Sequence, residues 1–141
     1  MVDWWKKRGW TLAALAIIMP TGFATKFYTG PAAEWVSNSL GGVFYVVFWS
    51  ILFFLAAPRV PPFILSAVVF VVTCLLEFLQ LWHPVFLENI RKGFIGQALL
   101  GTTFSWLDFF HYSIGMIVSI GLITIIGKAE SGKNQHSSDP T

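Results

Sequence analysis

Four long stretches almost without charge limit this chain more than any other feature: roughly Trp10 to Ala24, Leu40 to Ala57, Pro62 to Leu81 and Trp106 to Ile126. A bilayer's hydrocarbon core takes about 20 helical residues to cross, and each stretch is near that length. With 55% of its 141 residues apolar and only 11% charged, the chain falls in the membrane class rather than the soluble one. The expectation is an all-α fold, an integral membrane four-helix bundle with an amphipathic interfacial helix between spans three and four. It forms one transmembrane domain over residues 1–127, followed by a polar tail over 128–141.

The first stretch is the weakest, because Pro20 removes a helical hydrogen bond within it. Basic residues ahead of a short apolar run give the start the look of a signal peptide, yet GFATKF lacks the small-x-small pattern of a cleavage site, so a retained first helix is expected. APRVPP joins spans two and three tightly, with Pro61 and Pro62 suited to the opening turn of a helix. Lys6, Lys7, Arg8, Arg59, Lys128 and Lys133 fall on one side and Lys26, Arg91 and Lys92 on the other. The positive-inside rule then makes both termini cytoplasmic, in a bacterial cytoplasmic or internal membrane. The tail KAESGKNQHSSDPT has no apolar period and reads as disordered.

Composition also excludes some chemistry. Cys74, alone and within an apolar run, forms no internal disulfide and belongs to no metal-ligand spacing. A net charge of +2 spread over segment ends makes no basic stripe for nucleic acid. The partner implied is the lipid bilayer.

The connection over residues 82–105 is longer than a bundle needs. In it Phe86, Leu87, Ile90 and Phe94 recur at helical spacing with Glu88, Arg91 and Lys92 on another face. Such a helix lies in the membrane interface or caps the bundle. Trp4, Trp5, Trp10, Trp35, Trp82 and Trp106 sit at span ends as an aromatic belt, whereas Trp49 lies inside span two. Gly41 with Gly42, and Gly115 with Ser119, allow close helix approach.

Polar residues in the apolar runs mark the candidate site. Glu77 and Gln80 share one face of span three about 4.5 Å apart along its axis, with Thr73 a turn earlier. Asp108 and His111 share a face at the start of span four, with Gly115 a turn further on. An ionised carboxylate facing lipid costs about 3 kcal/mol at the bilayer centre, so these faces turn toward protein or water. In an up-and-down bundle the end of span three and the start of span four share one membrane level, so Glu77, Gln80, Arg91, Asp108 and His111 converge at the outer face. Structural roles compete with a binding role. Ser105 and Asp108 fit a helix N-terminal capping box. A Glu77–Arg91 pair would serve only to fasten the connection. His83 and His111 carry the ligand chemistry for a pigment or haem, although no companion metal-ligand motif accompanies them.

LEFLQL, IRKGF and LLGTTFSWLDFFHYSIG together resemble a family of small bacterial membrane proteins known only as a domain of unknown function, family 2809. The resemblance covers Leu76 to Gly115. Its pattern falls on Glu77, Gln80, Arg91, Leu100, Gly101, Phe104, Trp106, Asp108, Tyr112 and Gly115, and so adds Tyr112 to the candidate polar site. More distantly the chain is similar to VanZ-like proteins, associated with glycopeptide-antibiotic resistance, through Glu-x-x-Gln and an Asp followed by Gly seven residues later. Those proteins carry Asn four residues after that Asp, where this chain has Tyr112.

Three function classes follow. The leading one is a non-catalytic membrane protein whose outer polar site contacts a lipid headgroup or polar ligand, with Arg91 and Lys92 suited to an anionic headgroup. The second is an accessory subunit of a larger membrane complex, pigment- or haem-associated through His83 or His111. The third is an enzyme using Glu77 and Asp108 as acid and base, ranked below the others because no nucleophile with an adjacent base appears. Neither a cofactor nor a metal is called for by the leading reading.

Overall fold

The computed structural model describes residues 7–101 and 103–136, with Asn134 described by its backbone only. Trp4, Trp5, Lys6 and the last five residues of the expected tail lie outside the described residues. All described regular structure is helical: α1 (Gly9–Phe27), α2 (Ala33–Ala56), α3 (Pro62–Leu79), α4 (Val85–Arg91), α5 (Phe94–Leu100) and α6 (Trp106–His136). Helices α1, α2, α3 and α6 are long and apolar enough to cross a membrane. At about 1.5 Å per residue, the 19 residues of α1 extend roughly the thickness of the hydrocarbon core.

Helix α2 sits at the centre and packs against α1, α3 and α6, while α6 also packs against α3. Val47, Ile51, Phe54, Leu65, Ile123 and Ile126 form one buried core cluster, and Val46, Val69 and Tyr112 form a second nearer the α3–α6 junction. Small residues set the spacing. A Cβ on Gly115 would lie 2.9 Å from the Val46 Cβ and 3.0 Å from the Val43 carbonyl, and one on Gly42 would lie 2.9 Å from a Tyr112 ring carbon. The faces opposite carry Phe63, Ile64, Val71, Leu75, Ile117 and Ile125 outward, as a lipid solvent requires.

Pro20 stays inside α1 without ending it, and Thr21 Oγ1 donates to the Ile17 carbonyl at 2.6 Å beside it. Trp10, Trp35, Trp82 and Trp106 are exposed at helix ends, in keeping with a belt. Trp49 packs edge-on against Tyr45 and Phe48 within α2.

Three expectations need correction. Helix α2 begins at Ala33, not near Leu40, and carries a π-helical segment at Val36–Leu40 where Ser37, Asn38 and Ser39 are weak α-helix formers. The expected single amphipathic helix is two short ones broken at Gly93, whose φ and ψ of −82° and 149° are extended. The turn is tight enough that a Cβ on Gly96 would collide with the Ile90 carbonyl, so glycine is required there. Finally, the segment from Lys128 is not disordered as far as it is described. It continues α6 to His136 because Glu130, buried to 4% exposure, returns to the start of α1.

There Glu130 Oε1 accepts from the Thr11 amide at 3.0 Å and from Thr11 Oγ1 at 2.7 Å, while Oε2 accepts from Arg8 Nη1 at 2.9 Å. The carboxylate thus caps otherwise unpaired donors in the first turn of α1, where the helix dipole also favours negative charge.

Candidate functional site

At the other end of the bundle, the last turn of α3 and the first turns of α6 enclose Glu77, only 1% exposed. Three donors meet its carboxylate. Gln80 Nε2 donates to Oε2 at 2.9 Å, Tyr112 Oη donates to Oε2 at 2.8 Å, and the Ser105 backbone N–H donates to Oε1 at 2.8 Å. Burying a carboxylate is costly unless its lone pairs are used, and these contacts use them. Asp108 sits one turn before Tyr112 with its carboxyl against that of Glu77, and Lys26 and His111 lie nearby.

The loop before α6 is shaped for this arrangement. Gly101 adopts a φ of +67°, and a Cβ there would lie 2.5 Å from Gln80 Nε2, so glycine meets both a left-handed backbone and a close approach. Phe104 and Trp106 then flank Ser105 and pack on Phe78 and Phe109, with ring centroids 5.0 Å apart between Phe104 and Trp106 and 5.3 Å between Phe78 and Phe109. The Leu-Gly-x-x-Phe-x-Trp-x-Asp spacing therefore reads physically. Gly101 admits Gln80, the two aromatics anchor the loop, Ser105 presents its amide to Glu77, and Asp108 follows on the helix.

Above this floor lies a cavity of about 530 Å³, walled by residues including Phe23, Lys26, Tyr45 and Phe94 and floored by Glu77, Gln80, Asp108 and Tyr112. The π-helical segment forms part of the wall through Asn38, and its Ser37 carbonyl accepts from Lys26 Nζ at 3.0 Å. Tyr45 Oη holds α5 over the cavity by donating to the Leu99 carbonyl at 3.0 Å. Gln80 is 7% exposed, and its Oε1 is buried without a hydrogen-bond partner among the described residues.

Four of the six expected site residues thus meet: Glu77, Gln80, Asp108 and Tyr112. Arg91 does not join them, contrary to the expected convergence. Its Nη2 donates to the Leu79 carbonyl at 2.8 Å, and its Nη1 to the Trp82 carbonyl at 3.0 Å and Glu88 Oε1 at 2.9 Å. The carbonyls of Leu79, at the end of α3, and of Trp82, just beyond it, with the negative end of the helix dipole, claim the guanidinium ahead of Glu77. Lys92 is likewise engaged, with Asn89 Oδ1 at 2.9 Å.

His111 is buried beside Asp108, but its Nδ1 lies 2.9 Å from the Leu107 carbonyl, its ring meets Trp35 edge-on, and it does not line the cavity. His83 is part of the Arg91 cluster, with Nδ1 2.7 Å from Glu88 Oε1. Hydrogen bonds from His83 and then Arg91 hold the Glu88 carboxyl below its ordinary range. Thr73 lines the cavity while its hydroxyl donates to the Val69 carbonyl of its own helix at 2.7 Å. The Ser105 amide and Lys26 are additions that side-chain spacing did not supply. Lys26 was visible only as a lone cation at the same membrane level.

The sequence model of a family described as "Protein of unknown function (DUF2809)" matches residues 32–116. The chain belongs to that family. The matched region spans α2 to the first turns of α6, and so includes the floor of the cavity and most of its wall. No curated protein and no solved structure matches the chain.

Proposed function

We propose that this family member is a small integral membrane protein whose cavity, on the extracytoplasmic side, binds a polar ligand or lipid headgroup. One observation carries the reading. Gln80, whose buried Oε1 has no donor among the described residues, lines the floor of a cavity beside two carboxyl groups. Leaving such an atom unsatisfied costs about 1–3 kcal/mol, a cost that a bound donor removes.

The surroundings suit access from the membrane interface. Beside the cavity, α5 and the adjoining α4 present Val85, Phe86 and Ile95 outward, with Val85 79% and Ile95 72% exposed, and such side chains sit favourably at headgroup depth. The excess of Lys and Arg at the opposite end of the bundle supports cytoplasmic termini and an outward-facing cavity.

Native mass spectrometry of protein extracted in a mild detergent tests the reading. A co-purified adduct should be present in the parent protein and in a Glu130→Ala variant and be lost from Gln80→Leu. Equal adducts in all three would contradict it.

A further inference from the structure

The hydrogen-bonding inventory of the cavity specifies its occupant further. The Gln80 amide has only one sensible orientation, because turning it over would set its oxygen against the Glu77 carboxylate oxygen that Nε2 now donates to at 2.9 Å. Oε1 is therefore the atom without a partner among the described residues, and it accepts only. Both tyrosine hydroxyls at the cavity have given their protons away, Tyr112 to Glu77 and Tyr45 to the Leu99 carbonyl. The Ser105 amide is also committed to Glu77. What the floor still offers is the Gln80 oxygen, which has no donor among the described residues, and the carboxyl of Asp108, whose side-chain contact is the neighbouring Glu77 carboxyl, while Asn38, Gln97 and Thr103 add amides and a hydroxyl to the wall.

Charge points the same way. Two acidic side chains and one lysine line the cavity, and Lys26 is partly held by the Ser37 carbonyl. A phosphate or carboxylate entering here would meet two carboxyl groups, with Lys26 as the one cationic side chain in the described lining. An ammonium group would meet acceptor oxygens and a pair of touching carboxyl groups that its charge helps to ionise. Phe23 and Phe94, with stacked rings 6.1 Å apart, add aromatic faces of the kind that attract cations.

We infer that the cavity takes a cationic group carrying N–H donors, a primary ammonium, presented by an amphiphile's headgroup or by a free amine. The inference rests on the ligand reading above and narrows it. The ammonium donates to Gln80 Oε1 and pairs with Asp108, while Glu77 keeps its three protein donors and holds the floor in shape.

The test is a native mass spectrometric titration of the full chain in detergent. One arm uses phosphatidylethanolamine against phosphatidylcholine, which share phosphate and tails and differ in N–H donors, and a second arm uses free ethanolamine as competitor. Ethanolamine-headgroup lipid should bind about tenfold more tightly than the choline lipid, the worth of a charged hydrogen bond. Asp108→Asn should weaken it by a similar factor, and Lys26→Gln, at a partly exposed position, should strengthen it by a few-fold. Competition by free ethanolamine would identify a soluble amine as sufficient, and lipid binding without such competition would assign the site to a lipid; either outcome supports the ammonium. Equal binding of the two lipids would overturn it. So would the reversed pattern, with Lys26→Gln weakening and Asp108→Asn strengthening, which would leave a binding cavity for an anion. No binding of either lipid or of ethanolamine, with both variants indistinguishable from the parent, would remove the cavity reading as well.

Discussion

The two ends of the bundle each bury a glutamate, and they satisfy it in opposite ways. At one end Glu130 is closed off by a cation and a helix start, with Arg8 and Thr11 taking both its oxygens. At the other, Glu77 is met by neutral donors only, a second carboxyl stands beside it, and a neighbouring acceptor is left over in the floor of a cavity. A buried ion pair whose members satisfy each other explains itself as a fastening between α1 and α6. A buried carboxylate without a countercharge of its own, next to unused acceptors, is an arrangement that awaits something. The contrast separates residues that hold the bundle from residues that face an occupant, although sequence alone shows both as acids near span ends.

The largest expected effect is at Glu77. Glu77→Leu strips the acceptor from Gln80, Ser105 and Tyr112 at once and should lower stability by about 3 kcal/mol, since each buried donor left unpaired is costly. Unfolding in mixed micelles would measure it. Glu77→Gln, which keeps an acceptor oxygen, should lose less than half of that.

Breaking the other end should cost about 2 kcal/mol. In Glu130→Ala the Thr11 donors lose their partner, but Arg8, with its side chain 20% exposed, can reach water. An Arg8/Glu130 double-mutant cycle should show coupling of about 1 kcal/mol or more with no change in what the outer cavity binds. A change in binding there would erase the distinction between the two ends.

Gly101→Ala should cost about 1–2 kcal/mol, because it strains a φ of +67° and drives a Cβ into the Gln80 amide. Unlike the Glu130 change, it should also alter binding.

The smallest effect belongs to the His83–Glu88–Arg91 group, which lies outside the spans. Its Glu88 carboxyl is held below the ordinary range in the folded protein, first by His83 and then by Arg91. That contribution is therefore fully present above the unfolded carboxyl's titration and fades as pH falls through the lower, folded one. Amide protection in α4, corrected for the intrinsic exchange rate at each pH, should fall at acid pH in the parent and vary less with pH in Glu88→Gln. Identical pH dependence in the two proteins would rule out this origin.

The four spans were legible because hydrocarbon imposes a length and an apolar requirement that any residue-by-residue reading detects. Glu77, Gln80 and Asp108 were legible because helical spacing and a shared membrane level bring them together, whereas Tyr112 was marked only by the family resemblance. Arg91 was misplaced, since charge suggested Glu77 while the nearer carbonyls of Leu79 and Trp82 were invisible before the chain was folded. Glu130 was missed for a related reason. Its partner Arg8 is 122 residues away, and a polar segment without apolar period looks like a free tail when such long-range contacts are unknown. The break at Gly93 escaped notice because the apolar period of the connection runs straight through it, whereas glycine's backbone preferences end the helix there.

The most direct test of this account is an experimental structure of the protein taken from its native membrane without delipidation, at a resolution that shows hydrogen-bonded ligands. The expected result is a non-protein donor within hydrogen-bonding distance of Gln80 Oε1 and beside the Asp108 carboxyl, with the Arg8–Glu130–Thr11 contacts closed and nothing added to them. A collapsed cavity in which a protein group donates to Gln80 Oε1 would contradict it.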